Sequence, residues 1–271
     1  MNDTDKLLKK LLEDLEYHIV IPMQEYEKRK LIRSIMNVRP PKPISDELLT
    51  LQSNYLQKQL KNKGIVNLSD IPTIKQQYHS DFIYAQKISL WQGDITQLKV
   101  GAIVNAANSQ MLGCFIPCHN CIDNAIHSAA GIQLRLECHD IMEQRRIQYG
   151  KQYQEPTATA TLTKAYHLPC DYIIHTVGPI VYEYLNDTLR QDLSNCYENV
   201  LKCCVENHIK SVAFCCISTG EFHFSNEEAA KIAVETVTNF LKTHDNHIER
   251  IIFNVFKDID KQVYKKQLQL V

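Results

Sequence analysis

Glycine is scarce in this chain: eight residues in 271, against a usual share near ~7%. That shortage excludes a glycine-rich phosphate cradle, and neither the P-loop nor the dinucleotide spacing occurs. No apolar run approaches the ~20 residues of a membrane span, so no membrane partner is expected. The first thirteen residues are charged and helical in pattern, unlike a basic-then-apolar leader, and a cytoplasmic location is the expectation. An excess of one charge is also missing. Thirty Lys+Arg stand against thirty-one Asp+Glu, a formal charge of -1, which argues against a nucleic-acid binder that neutralises many phosphates. A small phosphorylated ligand held by backbone groups remains compatible.

What is present is 44% hydrophobic and 23% charged, enough apolar material for a sizeable core. The chain also has ten cysteines, none before Cys114. Without an export signal they are metal ligands, a nucleophile or buried thiols rather than a disulfide framework. The first third reads as helix. Leu7, Leu8, Leu11, Leu12 and Leu15 form one apolar stripe, and a second helix covers Tyr26 to Met36. Val38-Arg39-Pro40-Pro41-Lys42-Pro43 stops that helix. Ser45 caps a third, and Gly64 ends it.

From about Lys87 the pattern changes. Short apolar runs at 88–91, 102–105, 172–177, 212–217 and 251–255 alternate with helical stretches at 122–148, 188–207, 226–242 and 258–267. Strands alternating with helices predict an α/β fold around a mixed, largely parallel sheet. Ligands of such sheets sit beyond the carboxyl ends of the strands. The expected division is an N-terminal helical extension, 1–75, and a second domain, 76–271.

Three strand ends are unusual: Gln92-Gly93-Asp94-Ile95, Val104-Asn105-Ala106-Ala107-Asn108 and Ile217-Ser218-Thr219-Gly220-Glu221-Phe222. Each alone has an ordinary reading, as a turn cap, a loop brace or a turn. Together, in this order, they resemble the macrodomain family of ADP-ribose-binding modules. The matching words are G-D-I-T from Gly93, A-I-V-N-A-A-N from Ala102, I-D-N-A-I-H-S-A-A-G from Ile122, I-I-H-T-V-G-P from Ile173 and I-S-T-G from Ile217. They span about two-thirds of the chain. The N-terminal part, with M-N-V-R-P-P, resembles the extension of the zinc-containing bacterial branch, often linked to a sirtuin-like ADP-ribosyltransferase.

The resemblance implies a three-layer α/β/α macrodomain carrying an N-terminal helical extension. It also implies roles for individual residues. Asp94 would accept a hydrogen bond from the adenine amino group beside the Ile95 backbone. Asn108 would hold the distal ribose and take part in catalysis, with Asn105 supporting the same loop. Ser218, Thr219, Gly220 and Glu221 would line the diphosphate, and Phe222 would lie against the distal ribose. Two phosphates held by N–H dipoles need no basic patch.

In the loop after Asn108, where hydrolytic relatives carry a glycine run, this chain reads Gly113-Cys114-Phe115-Ile116-Pro117-Cys118-His119-Asn120-Cys121-Ile122-Asp123. One histidine and three cysteines within eight residues suit zinc. Three ligands with an open position are the catalytic pattern. The zinc-containing relatives imply Cys114, His119 and Cys121 as ligands. Cys118 stands where a small residue is expected, and a fourth ligand there would close the site. Asp123 aligns with the catalytic acid of the hydrolytic relatives, and a helix cap is its ordinary alternative. His127 is read as a core or supporting histidine, and His175 and His223 as serving structure or pocket shape. Ser225 replaces the proline usual after the aromatic loop.

The reading that follows is a zinc-dependent hydrolase removing mono-ADP-ribose from acidic side chains of modified proteins. A reader that binds ADP-ribose without turnover and an O-acetyl-ADP-ribose deacetylase are the alternatives.

Overall fold

The computed structural model describes residues 2–244 and 247–270. Helix α1 (Asp3–Asp14) starts where the Asn2 side chain accepts from the Asp5 N–H, and it buries Leu7, Leu8, Leu11 and Leu12. Helix α2 (Glu25–Val38) buries Ile32, Ile35, Met36 and Asn37 and stops before the proline pair. Helix α3 (Asp46–Lys63) is capped by Ser45, whose Oγ accepts from Leu48 N, and ends at Gly64 with φ 89°. The three expected helices are therefore present, the second somewhat longer than expected and the third with both of its expected ends. Their facing side chains make one core that also takes in Tyr55, Leu56 and Ile132. Each fully buried leucine there contributes about 1.5–3 kcal/mol.

Beyond Gly64 the chain runs through strand β1 (Val66–Asn67), helix α4 (Ile74–Tyr78), strands β2 (Ile88–Gln92), β3 (Leu98–Lys99) and β4 (Ala102–Ala107), and helices α5 (Ile122–Ala130) and α6 (Ile132–Tyr149). Then come strands β5 (Ala160–Lys164) and β6 (Tyr172–Val177), helix α7 (Asp187–Glu206), strand β7 (Ser211–Phe214), helix α8 (Asn226–His244), strand β8 (Arg250–Val255) and helix α9 (Asp258–Gln267). Six strands form one sheet in the order β2-β8-β7-β4-β6-β5. All neighbours in it are parallel except β5 against β6. β1 and β3 make a separate parallel pair.

Two features escaped the sequence pattern. Strand β5 (Ala-Thr-Leu-Thr-Lys) carries no apolar run, because an edge strand buries only alternate residues, here Thr161 and Thr163. The long helical stretch from 122 breaks at Gly131, whose φ is 99°. There the N–H of Ile132, at the start of α6, donates to Gln52 Oε1 of α3 at 2.8 Å, which replaces the intrahelical bond lost at the break.

The chain divides into two compact units. The first comprises Met1–Ile65, Gln110–Gln154 and Ala165–Leu168; the second comprises Val66–Ser109, Glu155–Lys164 and Pro169–Val271. They interleave along the sequence; the expected division into 1–75 and 76–271 came from the change of pattern along the chain. An amphipathic pattern shows that a helix has an apolar face, not which later segment covers it. Among the described residues, no helix is long and apolar enough to cross a membrane.

Candidate functional site

The second unit holds the strand ends singled out in the sequence. Asp94 follows β2 and caps the short turn Ile95–Gln97. Its Oδ1 accepts from Thr96 N at 3.0 Å and from Thr96 Oγ1 at 2.7 Å. The ordinary reading of Asp94 as a turn cap is thus part of its role. A carboxylate offers about four acceptor positions, so capping does not exhaust it. Asn254 Nδ2 donates to Gly93 O at 3.0 Å, and Gly93 N donates to Val255 O, which fixes this turn against the end of β8.

Asn105, fully buried in β4, lies with Nδ2 3.0 Å from His175 Nδ1. The other ring nitrogen of His175 is 2.9 Å from Thr163 Oγ1. Burial pushes His175 down to about 3, so the ring is neutral near pH 7. It accepts from the Asn105 amide at Nδ1 and donates from Nε2 to Thr163. The expectation that His175 serves structure agrees with this arrangement. Asn108, just past β4, is half-buried.

The loop from Ile217 to Phe224 turns tightly. Ser218 takes φ 64° and His223 φ 58°. Phe224 N donates to Ser218 O, His223 N to Gly220 O, and Val181 N to Phe222 O at 2.9 Å. Thr219 Oγ1 donates to Cys216 O at 3.1 Å. The Ser218 hydroxyl is buried with no hydrogen-bond partner among the described residues, which is costly for a group of this kind. A Cβ at Gly178 would lie 2.0 Å from that oxygen, so glycine after β6 is what lets Ser218 sit there. Gly220 and Glu221 are exposed, and Phe222 is half-buried.

The first unit holds the Cys/His loop. Ligand atoms of Cys114, His119 and Cys121 all lie within 4.8 Å of one another, with Cys114 Sγ 3.7 Å from His119 Nδ1. Cys121 is also the N-cap of α5, its Sγ accepting from Asn124 N at 3.4 Å. Burial, with backbone help from Asn124 opposing it, pushes the Cys121 thiol up to about 12. A half-buried pair of thiols beside an imidazole is the donor set that a divalent cation converts to thiolates, so these residues fit zinc. Cys118 turns away: its N–H donates to Asn37 Oδ1 at 2.9 Å, and its Sγ lies 3.4 Å from Lys30 O.

Asp123 sits in the first turn of α5, 5% exposed, with Oδ1 3.5 Å from His127 Nε2 one turn on. A Cβ at Gly113 would come within 2.8 Å of the His127 ring, and φ there is +78°. Glycine thus opens the Cys/His loop because its backbone passes over that histidine.

A macro domain family model matches residues 104–233. A protein-ADP-ribose hydrolase from Treponema medium is 47% identical over 257 residues, covering 94% of each chain. The chain belongs to the macro domain family. Another protein-ADP-ribose hydrolase, from Staphylococcus aureus strain Mu50, is 43% identical, with 92% of this chain and 88% of that one covered. Among solved structures, the macro domain of ganglioside induced differentiation associated protein 2 superposes with TM-score 0.64 at 30% identity, covering 76% of this chain and 96% of that chain. A Trypanosoma brucei macrodomain in complex with ADP-ribose gives TM-score 0.64 at 26% identity, covering 86% and 94%. The fold of this macrodomain is therefore the expected three-layer α/β/α type with a mixed, mostly parallel sheet and N-terminal helices.

One candidate escaped the sequence reading. Phe256 follows β8 and is 73% exposed. Val255 pairs with Gln92 in register, and Gln92 Nε2 donates to the Phe256 carbonyl at 3.3 Å, so Phe256 follows the same carboxyl edge of the sheet as Asp94. An aromatic just past the carboxyl end of a strand was the available signal.

Proposed function

We propose that this macrodomain is a zinc-dependent protein mono-ADP-ribosyl hydrolase acting on ADP-ribose esterified to acidic side chains. The observation that carries the proposal is the meeting of Cys114, His119 and Cys121 within 4.8 Å, two residues before a buried acid at the start of α5. The printed names of the relatives, protein-ADP-ribose hydrolases, support the reaction class. The likeness of Met36 to Pro41 to the sirtuin-linked branch supports a sirtuin-like transferase as the source of the modification.

Nucleotide recognition belongs to the second unit. Asp94 accepts from the adenine amino group, the Ile95 backbone lies beside it, and the exposed Phe256 ring supplies a stacking face. Main-chain donors of Ser218 to Glu221 hold the diphosphate. The buried Ser218 hydroxyl gains its missing partner from a phosphate oxygen. Asn108 orients the distal ribose, Asn105 keeps the Asn108 loop in place through His175, and Phe222 packs against the sugar. In the first unit Cys114, His119 and Cys121 would hold zinc, which supplies Lewis acidity toward oxygen when bound. Asp123 takes the proton of the attacking water, and His127 holds its carboxylate. The ester bond breaks to give free ADP-ribose and a free side-chain carboxylate.

Incubation with an auto-modified, ADP-ribosylated protein tests the proposal. The expected result is release of ADP-ribose, lost with a strong chelator, and about one zinc per purified chain. Binding of ADP-ribose without release from acid-, arginine- or serine-linked substrates would make this a reader. Release that survives metal removal would refute zinc dependence. For recognition, Asp94→Ala removes a charge-assisted hydrogen bond worth roughly 1.5–3 kcal/mol. ADP-ribose affinity should fall about ten- to a hundred-fold by calorimetric titration. Unchanged affinity in a folded variant would remove Asp94 from the adenine site.

A further inference from the structure

The loop that carries the three metal-ligating side chains has almost no regular structure of its own. Within Gly113–Cys121 two residues take left-handed backbone, Gly113 at φ 78° and Cys118 at 53°, and an internal bond runs from His119 N to Ile116 O. Three of its backbone groups, Ile116 O, Cys118 N and His119 O, are met by side chains from helices. Arg33 of α2 donates from Nη2 to His119 O at 3.1 Å and, with Nε and Nη2, to Asn124 Oδ1 at 3.2 and 2.8 Å. Asn124 in turn donates from Nδ2 to Ile116 O at 3.0 Å. Asn37 of α2 accepts from Cys118 N at 2.9 Å and donates to Ser128 Oγ at 2.9 Å.

The flank of the loop is fastened in the same way. Arg135 of α6 donates from Nε to Leu112 O at 2.6 Å, and its Nη1 reaches Met36 O and Arg39 O at 3.1 and 2.6 Å. Its guanidinium lies 4.2 Å from the Phe115 ring centroid. The N-terminal helices and the loop belong to one compact unit.

We infer that the N-terminal extension is the scaffold of the metal-binding loop, with Arg33 and Asn37 as positioning residues for Cys114, His119 and Cys121. This rests on the zinc reading above. Residues bonded behind first ligands typically tune metal affinity by 10–100-fold. A guanidinium beside a divalent cation gives that cation no electrostatic help. The service of Arg33 is geometric: a planar fork joins the carbonyl of a ligand residue to an amide that holds the loop at Ile116. Without the fork, the loop must be ordered at the moment of metal binding, and the conformational entropy lost in that ordering weakens the binding.

The experiment uses the full chain with Arg33→Met, Arg33→Lys and Asn37→Ala. As a control on α2, Lys28→Ala removes a residue that pairs with Asp5 at 2.6 Å. Zinc affinity is measured by competition with a chromogenic chelator, the ligand field by the visible spectrum of the cobalt(II) form, and folding by melting of the metal-free chain. Both Arg33 variants should lose about 10- to 100-fold in zinc affinity, with altered cobalt bands and little change in the metal-free melt. Lys28→Ala should match the parent. Full affinity in Arg33→Lys with loss only in Arg33→Met would make the effect one of charge and overturn the inference. Should Arg33→Met not fold, Asn37→Ala and Arg33→Lys carry the same expectation. A parent that binds no zinc overturns the zinc reading and this inference together. Tight zinc in the parent with unchanged affinity and spectrum in the variants overturns this inference alone.

Discussion

Asp123→Asn should slow the release of ADP-ribose from an acid-linked modified protein by about a hundred- to ten-thousand-fold, the loss typical of removing a general base. Zinc content and ADP-ribose affinity should stay within a few-fold of the parent. The substitution is nearly isosteric, which matters at a side chain only 5% exposed. It also separates the two readings of this position. As an acid in the first turn of α5, Asp123 interacts favourably with the helix N-terminus, an effect of roughly 0.3–1 kcal/mol. If that were its whole role, the variant would melt slightly lower and release ADP-ribose at the parental rate. Single-turnover release from the modified protein, measured beside a melting curve, distinguishes the outcomes. Full activity in the folded variant would remove Asp123 from the chemistry.

The core of the sheet was legible in the sequence because four of its six strands bury both faces and so appear as apolar runs. In β4, β6, β7 and β8 nearly every residue is buried. The edge strand β5 was illegible for the converse reason. Its alternating threonines form no run, and its pairing to β6 is antiparallel, outside the strand-helix-strand rhythm. The expected strand 212–217 ends in the structure at Phe214. The remaining apolar residues, Cys215 to Ile217, lead into the tight turn at Ser218 rather than extending the ladder.

For the Cys/His loop, the grouping of Cys114, His119 and Cys121 was legible and its support was not. Cys114, His119 and Cys121 stand close in sequence, so their meeting needed only one loop to fold back. Cys118 lies among them in sequence yet turns to Lys30, because its left-handed backbone redirects the side chain. Arg33, Asn37 and Arg135 act on the loop across separations of 81 residues for Asn37 to Cys118 and 86 for Arg33 to His119. No local pattern marks such pairs. The same holds for Gly178 and Ser218, where the signal is a missing side chain whose consequence appears only when β6 and the later loop are brought together.

Cys121→Ser should lower bound zinc from about one per chain to well below stoichiometric and reduce ADP-ribose release at least as far as Asp123→Asn does. Serine is the informative replacement because Cys121 caps a helix and is also a proposed ligand. Its Sγ accepts from Asn124 N as the cap of α5, and a serine hydroxyl is a better cap than a thiol. The helix that carries Asp123 and His127 should therefore survive, whereas alanine would remove cap and ligand together. As a metal ligand the hydroxyl is poor, since zinc favours the soft thiolate, and the remaining Cys114 and His119 leave two ligands where a catalytic site needs three. Metal analysis, a melting curve and the release assay on one preparation decide the matter. A folded Cys121→Ser chain with parental zinc would exclude this sulfur as a ligand. Parental turnover in a chain that has lost its zinc would leave Asp123 in place and remove the metal from the reaction.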